Sequence, residues 1–70
     1  MMELPVGKNI TLEELDLWKK THCTIIGLKK KNNNYLINPS PGHTISKGDR
    51  LIVMGSDEQI VKAGQLVEAG

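Results

Sequence analysis

This sequence predicts an α+β domain, with two helices on one side of a small, mostly antiparallel sheet in the order β-α-β-β-β-α. Three observations carry that expectation. Two helix starts are written as capping boxes, Thr11 with Glu14 and Ser56 with Gln59. Apolar, largely β-branched runs occur at Thr24–Leu28, Tyr35–Ile37 and Arg50–Met54. Polar loops rich in Asn, Pro and Gly separate those runs.

Taken in chain order, Met2–Val6 alternates weakly and holds Pro5, which suits an edge strand at best. Gly7-Lys8-Asn9 is a turn. Thr11 caps a helix beginning at Leu12, with Ile10 and Leu15 at the staple positions on either side of the cap. That helix is expected to run to about Lys20 with Leu12, Leu15 and Trp18 along one buried stripe, its lysines at the negative end of the dipole. Thr24–Leu28 is apolar on both faces and reads as a buried strand. Lys29–Asn34 is a polar loop whose asparagines tolerate positive φ, so Tyr35–Ile37 returns as the second arm of a hairpin. Pro39-Ser40-Pro41-Gly42 must be loop. Lys47-Gly48-Asp49 is a turn with Gly48 at the residue that needs positive φ. Arg50–Met54 is the most apolar strand and is expected at the centre of the sheet. Ser56 opens the closing helix, where Ile60, Ala63, Gly64 and Val67 share one face.

Seventy residues make one domain, here residues 1–70. Its abrupt ends and doubled initial Met read as a piece of a larger protein. A chain this short buries a small core, and a marginal monomer favours dimerisation. Nine basic against eight acidic residues give a net charge of +1, which is no footprint for nucleic acid or an anionic membrane. A single cysteine excludes an internal disulfide and a Cys-rich zinc cluster, and fits a cytoplasmic setting.

No nucleophile constellation stands out. His22 and Cys23 are adjacent, so in extended chain their side chains diverge, and Cys23 reads as a small core residue. The chain is therefore not expected to be an enzyme. No spacing of His and carboxylate residues fits a metal, although ligands shared across a dimer axis would escape such a reading. Lys29-Lys30-Lys31 fits a phosphate contact or a solvated hairpin tip. Ile37-Asn38-Pro39 carries more information. Pro39 ends the strand, Asn38 offers a donor and an acceptor, and Ile26 and Ile37 supply an apolar floor on which a flat heterocycle would lie. The plainer reading of these residues is a structural Asn-Pro turn, and both stand.

One resemblance gathers these features. Thr11-Leu12-Glu13-Glu14-Leu15, the strand into Ile26-Gly27-Leu28-Lys29-Lys30, then Ile37-Asn38-Pro39-Ser40-Pro41, Thr44, Ile45 and Gly48-Asp49-Arg50-Leu51-Ile52-Val53-Met54-Gly55 together resemble the RCK/TrkA C-terminal regulatory domain, TrkA-C or RCK-C. The resemblance implies a homodimeric cytoplasmic module of a potassium channel or other cation transporter, membrane-associated through that parent. It implies an adjacent nucleotide-binding domain and, in some members, cyclic di-AMP in a cleft at the dimer interface. The ligand residues implied are Ile26, Ile37, Asn38 and Pro39 around the base, with Lys29 or Lys30 on the phosphate. The chain departs from the family where an arginine is common, since Lys29–Lys31 lacks the planar fork of a guanidinium. Two other functions are carried beside this one: a dimerisation module without a ligand, and a small nucleic-acid-binding domain.

Overall fold

A computed structural model describes residues 1–68 of the chain. The strands are β1 (Met2–Pro5), β2 (Ile10–Thr11), β3 (Thr24–Lys29), β4 (Tyr35–Ile37), β5 (Thr44–Ile45) and β6 (Arg50–Met54). The helical segments are α1 (Leu12–Leu15), α2 (Leu17–Thr21) and α3 (Asp57–Glu68). A four-stranded antiparallel sheet runs β1-β6-β3-β4, so Arg50–Met54 lies inside the sheet as its apolar content requires. β2 and β5 form a separate two-residue ladder, Ile10 opposite Ile45 and Thr11 opposite Thr44.

One core lies between the helices and one face of the sheet. Leu4, Leu28, Leu51 and Val53 meet Leu15, Leu17, Ala63 and Val67 there, together with the fully buried Cys23. Packing of this kind contributes about 1.5–3 kcal/mol per large side chain. Among the described residues no helix covers the other face of the sheet. Thr24–Leu28 is accordingly not buried on both faces, and Ile25 and Ile26 remain half-buried.

Both capping boxes form. Glu14 N donates to Thr11 Oγ1 at 3.1 Å while Thr11 N donates to Glu14 Oε1 at 3.3 Å. Gln59 N donates to Ser56 Oγ at 3.2 Å and Ser56 N to Gln59 Oε1 at 2.9 Å. Thr11→Ala is expected to cost about 1 kcal/mol and Glu14→Ala less, because the first loss strands a helix-end amide. Urea unfolding of the two single variants and the double variant measures their coupling; simple additivity would mean that the box contributes nothing.

The first helix corrects the sequence reading. It is not one helix reaching Lys20 but two short segments joined at Asp16, whose φ of 49° and ψ of 49° are left-handed. That one residue resets the helical phase. Leu17, not Trp18, enters the core, and Trp18 is 62% exposed. His22 closes α2 in the same left-handed region, with φ 63°. Gly48 has φ 98°, as its turn demands.

Candidate functional site

The site begins with an irregularity in β3. Ile25 pairs with Val53 and Gly27 with Ile52, so Ile26 is a bulge residue with no partner on β6. Its carbonyl is used elsewhere, accepting from Asn38 N at 3.3 Å just beyond the last pair of the hairpin. Asn38 turns the chain there with φ 51°, a conformation that asparagine reaches more easily than most residues. Pro39 then stops the strand, as expected from its missing amide.

Strand register separates the two faces. Leu28, Leu36 and Leu51 point to the core. Arg50, Ile52 and Met54 alternate with the core residues of β6, and their partners are Lys29, Gly27 and Thr24 on β3. Lys29 and Gly27 pair in turn with Tyr35 and Ile37 on β4. The open face thus carries Tyr35, Ile37 and Met54 at 58, 60 and 51% exposure around a nearly buried Ile52. Gly27 has a positional reason: a Cβ there would meet Leu36 O at 2.9 Å and Ile37 Cδ1 at 3.2 Å. Its absence lets the Ile37 side chain lie down across β3.

The six residues singled out from the sequence divide among four places. Ile37 and Lys29 belong to the open face, where Lys29 Nζ lies 5.8 Å from the centre of the Tyr35 ring. Ile26 sits at the bulge beside it. Asn38 and Pro39 line a cleft of about 410 Å³ together with Leu12, Leu17, Trp18 and Ile25.

Lys30 is drawn elsewhere. Its Nζ donates to His43 Nε2 at 3.1 Å and lies 3.9 Å from Asp49 Oδ2. An ammonium has no acceptor, so that His43 nitrogen must be the unprotonated one. Asp49 is 2% exposed and is held by Lys31 N at 3.2 Å and Ser46 N at 3.0 Å. The loop that includes His43 is fastened to the helix as well: Leu12 N donates to His43 O at 3.1 Å and Glu13 N to Pro41 O at 2.8 Å.

Sequence reasoning gave Arg50 no part in the ligand site and placed Asp49 in a turn without seeing its structural role. Arg50 shares the open face with Ile52 and Met54 at alternating positions, a spacing that was available to read. The Asp49 side chain gave no such signal, because one of its backbone donors is local, Ser46 N, while the other, Lys31 N, lies in a loop far away in sequence. Among the described residues no group of three or more His, Cys, Asp or Glu side chains could hold a metal. No helix among the described residues is long and apolar enough to cross a membrane.

The family model described as the TrkA-C domain matches residues 3–67. The GsuK channel shares 27% identity at a TM-score of 0.79, covering 99% of this chain and 13% of the channel chain. The RCK C domain of the potassium transport protein KtrA, in complex with cyclic di-AMP, is 24% identical with a TM-score of 0.83, covering 91% of this chain and 78% of that one. The RCK_C domain dimer of S. agalactiae BusR, also with cyclic di-AMP, is 20% identical with a TM-score of 0.79 over 97% and 88%. BusR is also known with its busAB-promoter DNA, in a chain of which this one covers 35%. Among curated sequences, the uncharacterized protein YrvC of Bacillus subtilis (strain 168) is 36% identical over 45 residues, 64% of this chain. The match covers 27% of YrvC.

Proposed function

The chain belongs to the TrkA-C domain family, and from that premise we propose that it is the ligand-sensing and dimerisation domain of a regulator of potassium or other cation transport. The observation that carries this reading is the open sheet face. Tyr35, Ile37 and Met54 stand exposed around Ile52, an apolar patch that a second copy would cover. The bulge at Ile26 and the turn at Asn38 and Pro39 border it.

A ligand with two identical halves fits a two-fold axis, since each protomer presents the same patch to one half. Cyclic di-AMP has that form, and it accompanies the KtrA and BusR domains. In this reading the base rests on Ile26 and Ile37, Asn38 reads its edge and Pro39 closes one side. Lys29 meets the phosphate, because Lys30 is engaged by His43 and Asp49. A lysine without a guanidinium fork makes for weaker binding than an arginine would. The domain carries no catalysis of its own; ligand binding shifts the balance between two protomer arrangements, and attached domains pass that shift on. The parent protein is then cytoplasmic at this end, membrane-associated through a channel or transporter subunit, with a nucleotide-binding domain adjacent.

Titration calorimetry with cyclic di-AMP tests the site. The expected result is one dinucleotide per two chains. Asn38→Ala should weaken binding by about 1–3 kcal/mol, since a base edge is left unpaired. Lys29→Gln should weaken it as well, and more at low salt than at high salt. Neither heat nor a thermal shift at ~100 μM ligand would overturn the dinucleotide and leave the second reading, a dimerisation module without a ligand. The lysines at the family's usual arginine position favour that second reading. The near-neutral net charge of +1 argues against nucleic acid as a partner of this domain itself. In a BusR-like parent, DNA would be met by other parts of the chain.

A further inference from the structure

The cleft between α1–α2 and the Asn38–Pro41 loop combines an apolar lining with charge of one sign. Leu12, Leu17, Ile25 and two prolines make it apolar, and the only charged side chains lining it are Glu13 and Asp16. Neither carboxylate forms an ion pair among the described residues. Asp16 caps α2 by position yet makes no side-chain cap bond, so its carboxylate is left to the cleft. Positive charge gathers instead at the far hairpin, where Lys29, Lys30, Lys31 and Arg50 line a separate hollow. With a net charge of only +1, this acidity is local and not a property of the whole molecule.

Trp18 completes the cleft. The ring is stacked on His22, with centroids 5.3 Å apart and planes 19° from parallel, which fixes its orientation at small entropic cost on binding. An exposed indole, an apolar floor and two unpaired carboxylates together select one side chain. Arginine has an aliphatic stem for the floor, a planar cation that stacks on indole, and a fork that pairs with carboxylate. A cavity of about 410 Å³ accommodates such a side chain with the backbone on either side of it.

We propose that this cleft docks an arginine-bearing segment of a partner protein, with Trp18, Glu13 and Asp16 as its recognition residues. The occupant is a peptide segment and not the dinucleotide, because both charges on the cleft repel phosphate. Pro39 and Asn38 line this cleft and also border the proposed ligand face. The segment and a ligand would therefore touch opposite sides of one turn.

The test uses the chain's single tryptophan, whose emission reports on the cleft directly. The probe is the acetylated, amidated pentapeptide Gly-Leu-Arg-Leu-Gly, beside its counterpart with citrulline for arginine, and no dinucleotide is present. The arginine peptide should shift Trp18 emission saturably, and the neutral citrulline peptide should bind at least about tenfold more weakly. The double variant Glu13→Gln, Asp16→Asn should lose that preference, and added salt should erode it in the native chain. Asparagine tolerates the left-handed backbone at position 16, so an unchanged melting curve is expected and serves as the folding control. Equal response to both peptides, or none, would overturn the proposal. So would an emission change on protein concentration alone that the double variant abolishes, which would assign the cleft to a second copy. A response to cyclic di-AMP but not to the arginine peptide would assign it to the ligand and equally end the proposal.

Discussion

Asp49→Ala is expected to lower the unfolding free energy by about 3 kcal/mol, a large share of what a domain of this size has to lose. The carboxylate is 2% exposed and answers donors from two separate turns, Lys31 N in the hairpin loop and Ser46 N before β6. Hydrogen bonds to a charged group contribute about 1.5–3 kcal/mol each, so two of them set the estimate. The Lys30 contact at 3.9 Å is longer, its ammonium side chain is a third exposed, and it adds little to the estimate. The backbone of Asp49 raises the stakes, for its carbonyl accepts from Val6 N at 2.9 Å and so fastens the segment after β1. Urea unfolding with circular dichroism measures the loss, and Asp49→Asn should recover part of it by keeping one acceptor oxygen. A loss below about 1 kcal/mol would show that water replaces the carboxylate as acceptor for the two amides, and that the site is not the structural hub described.

The second large effect concerns association. Ile37→Glu should raise the dissociation constant of the proposed dimer by about 100-fold or more, since a carboxylate closed into an apolar contact loses its hydration. In the single chain Ile37 is 60% exposed, so the same substitution should move monomer stability by no more than about 0.5 kcal/mol. The contrast between the two readouts separates an interface residue from a core residue. Sedimentation across a dilution series reads the first and urea unfolding of the dilute monomer the second. An unchanged dissociation constant would take the dimer contact away from the open face.

Much of this architecture was legible in the residues because local chemistry specified it. Thr11 with Glu14 and Ser56 with Gln59 form the caps they spell, Gly48 takes its positive φ, and Arg50–Met54 lies inside the sheet. The break at Asp16 escaped because Leu12, Leu15 and Trp18 fit a continuous helical stripe equally well. Leu17 held the clue: a second leucine two residues after Leu15 has no place on that stripe, and only a change of phase buries both. The β2–β5 ladder was hidden for another reason, as two-residue strands are shorter than any periodicity can mark. At the candidate site the residue types could be picked out, but not their division between two faces. The bulge at Ile26 makes that division, and no residue type announces a bulge. Lys29 and Lys30 are interchangeable in sequence; only the position of Asp49 and His43 tells them apart.

The position of β1 has a consequence for the order of events during synthesis. Within this domain Met2 to Pro5 are synthesised before their ladder partners, Val53 to Arg50, and Gly7 N waits for Val67 O at the end of α3. Closing so long a loop is entropically costly, and the nascent strand has nothing to pair with until nearly the whole domain has emerged. The β3–β4 hairpin and its pairing with β6 can form before that, from segments closer together in the chain. β1 is thus made first and placed last. During that interval Glu3 and Pro5 guard it, one by charge and the other by a missing amide, against pairing with a neighbouring nascent chain.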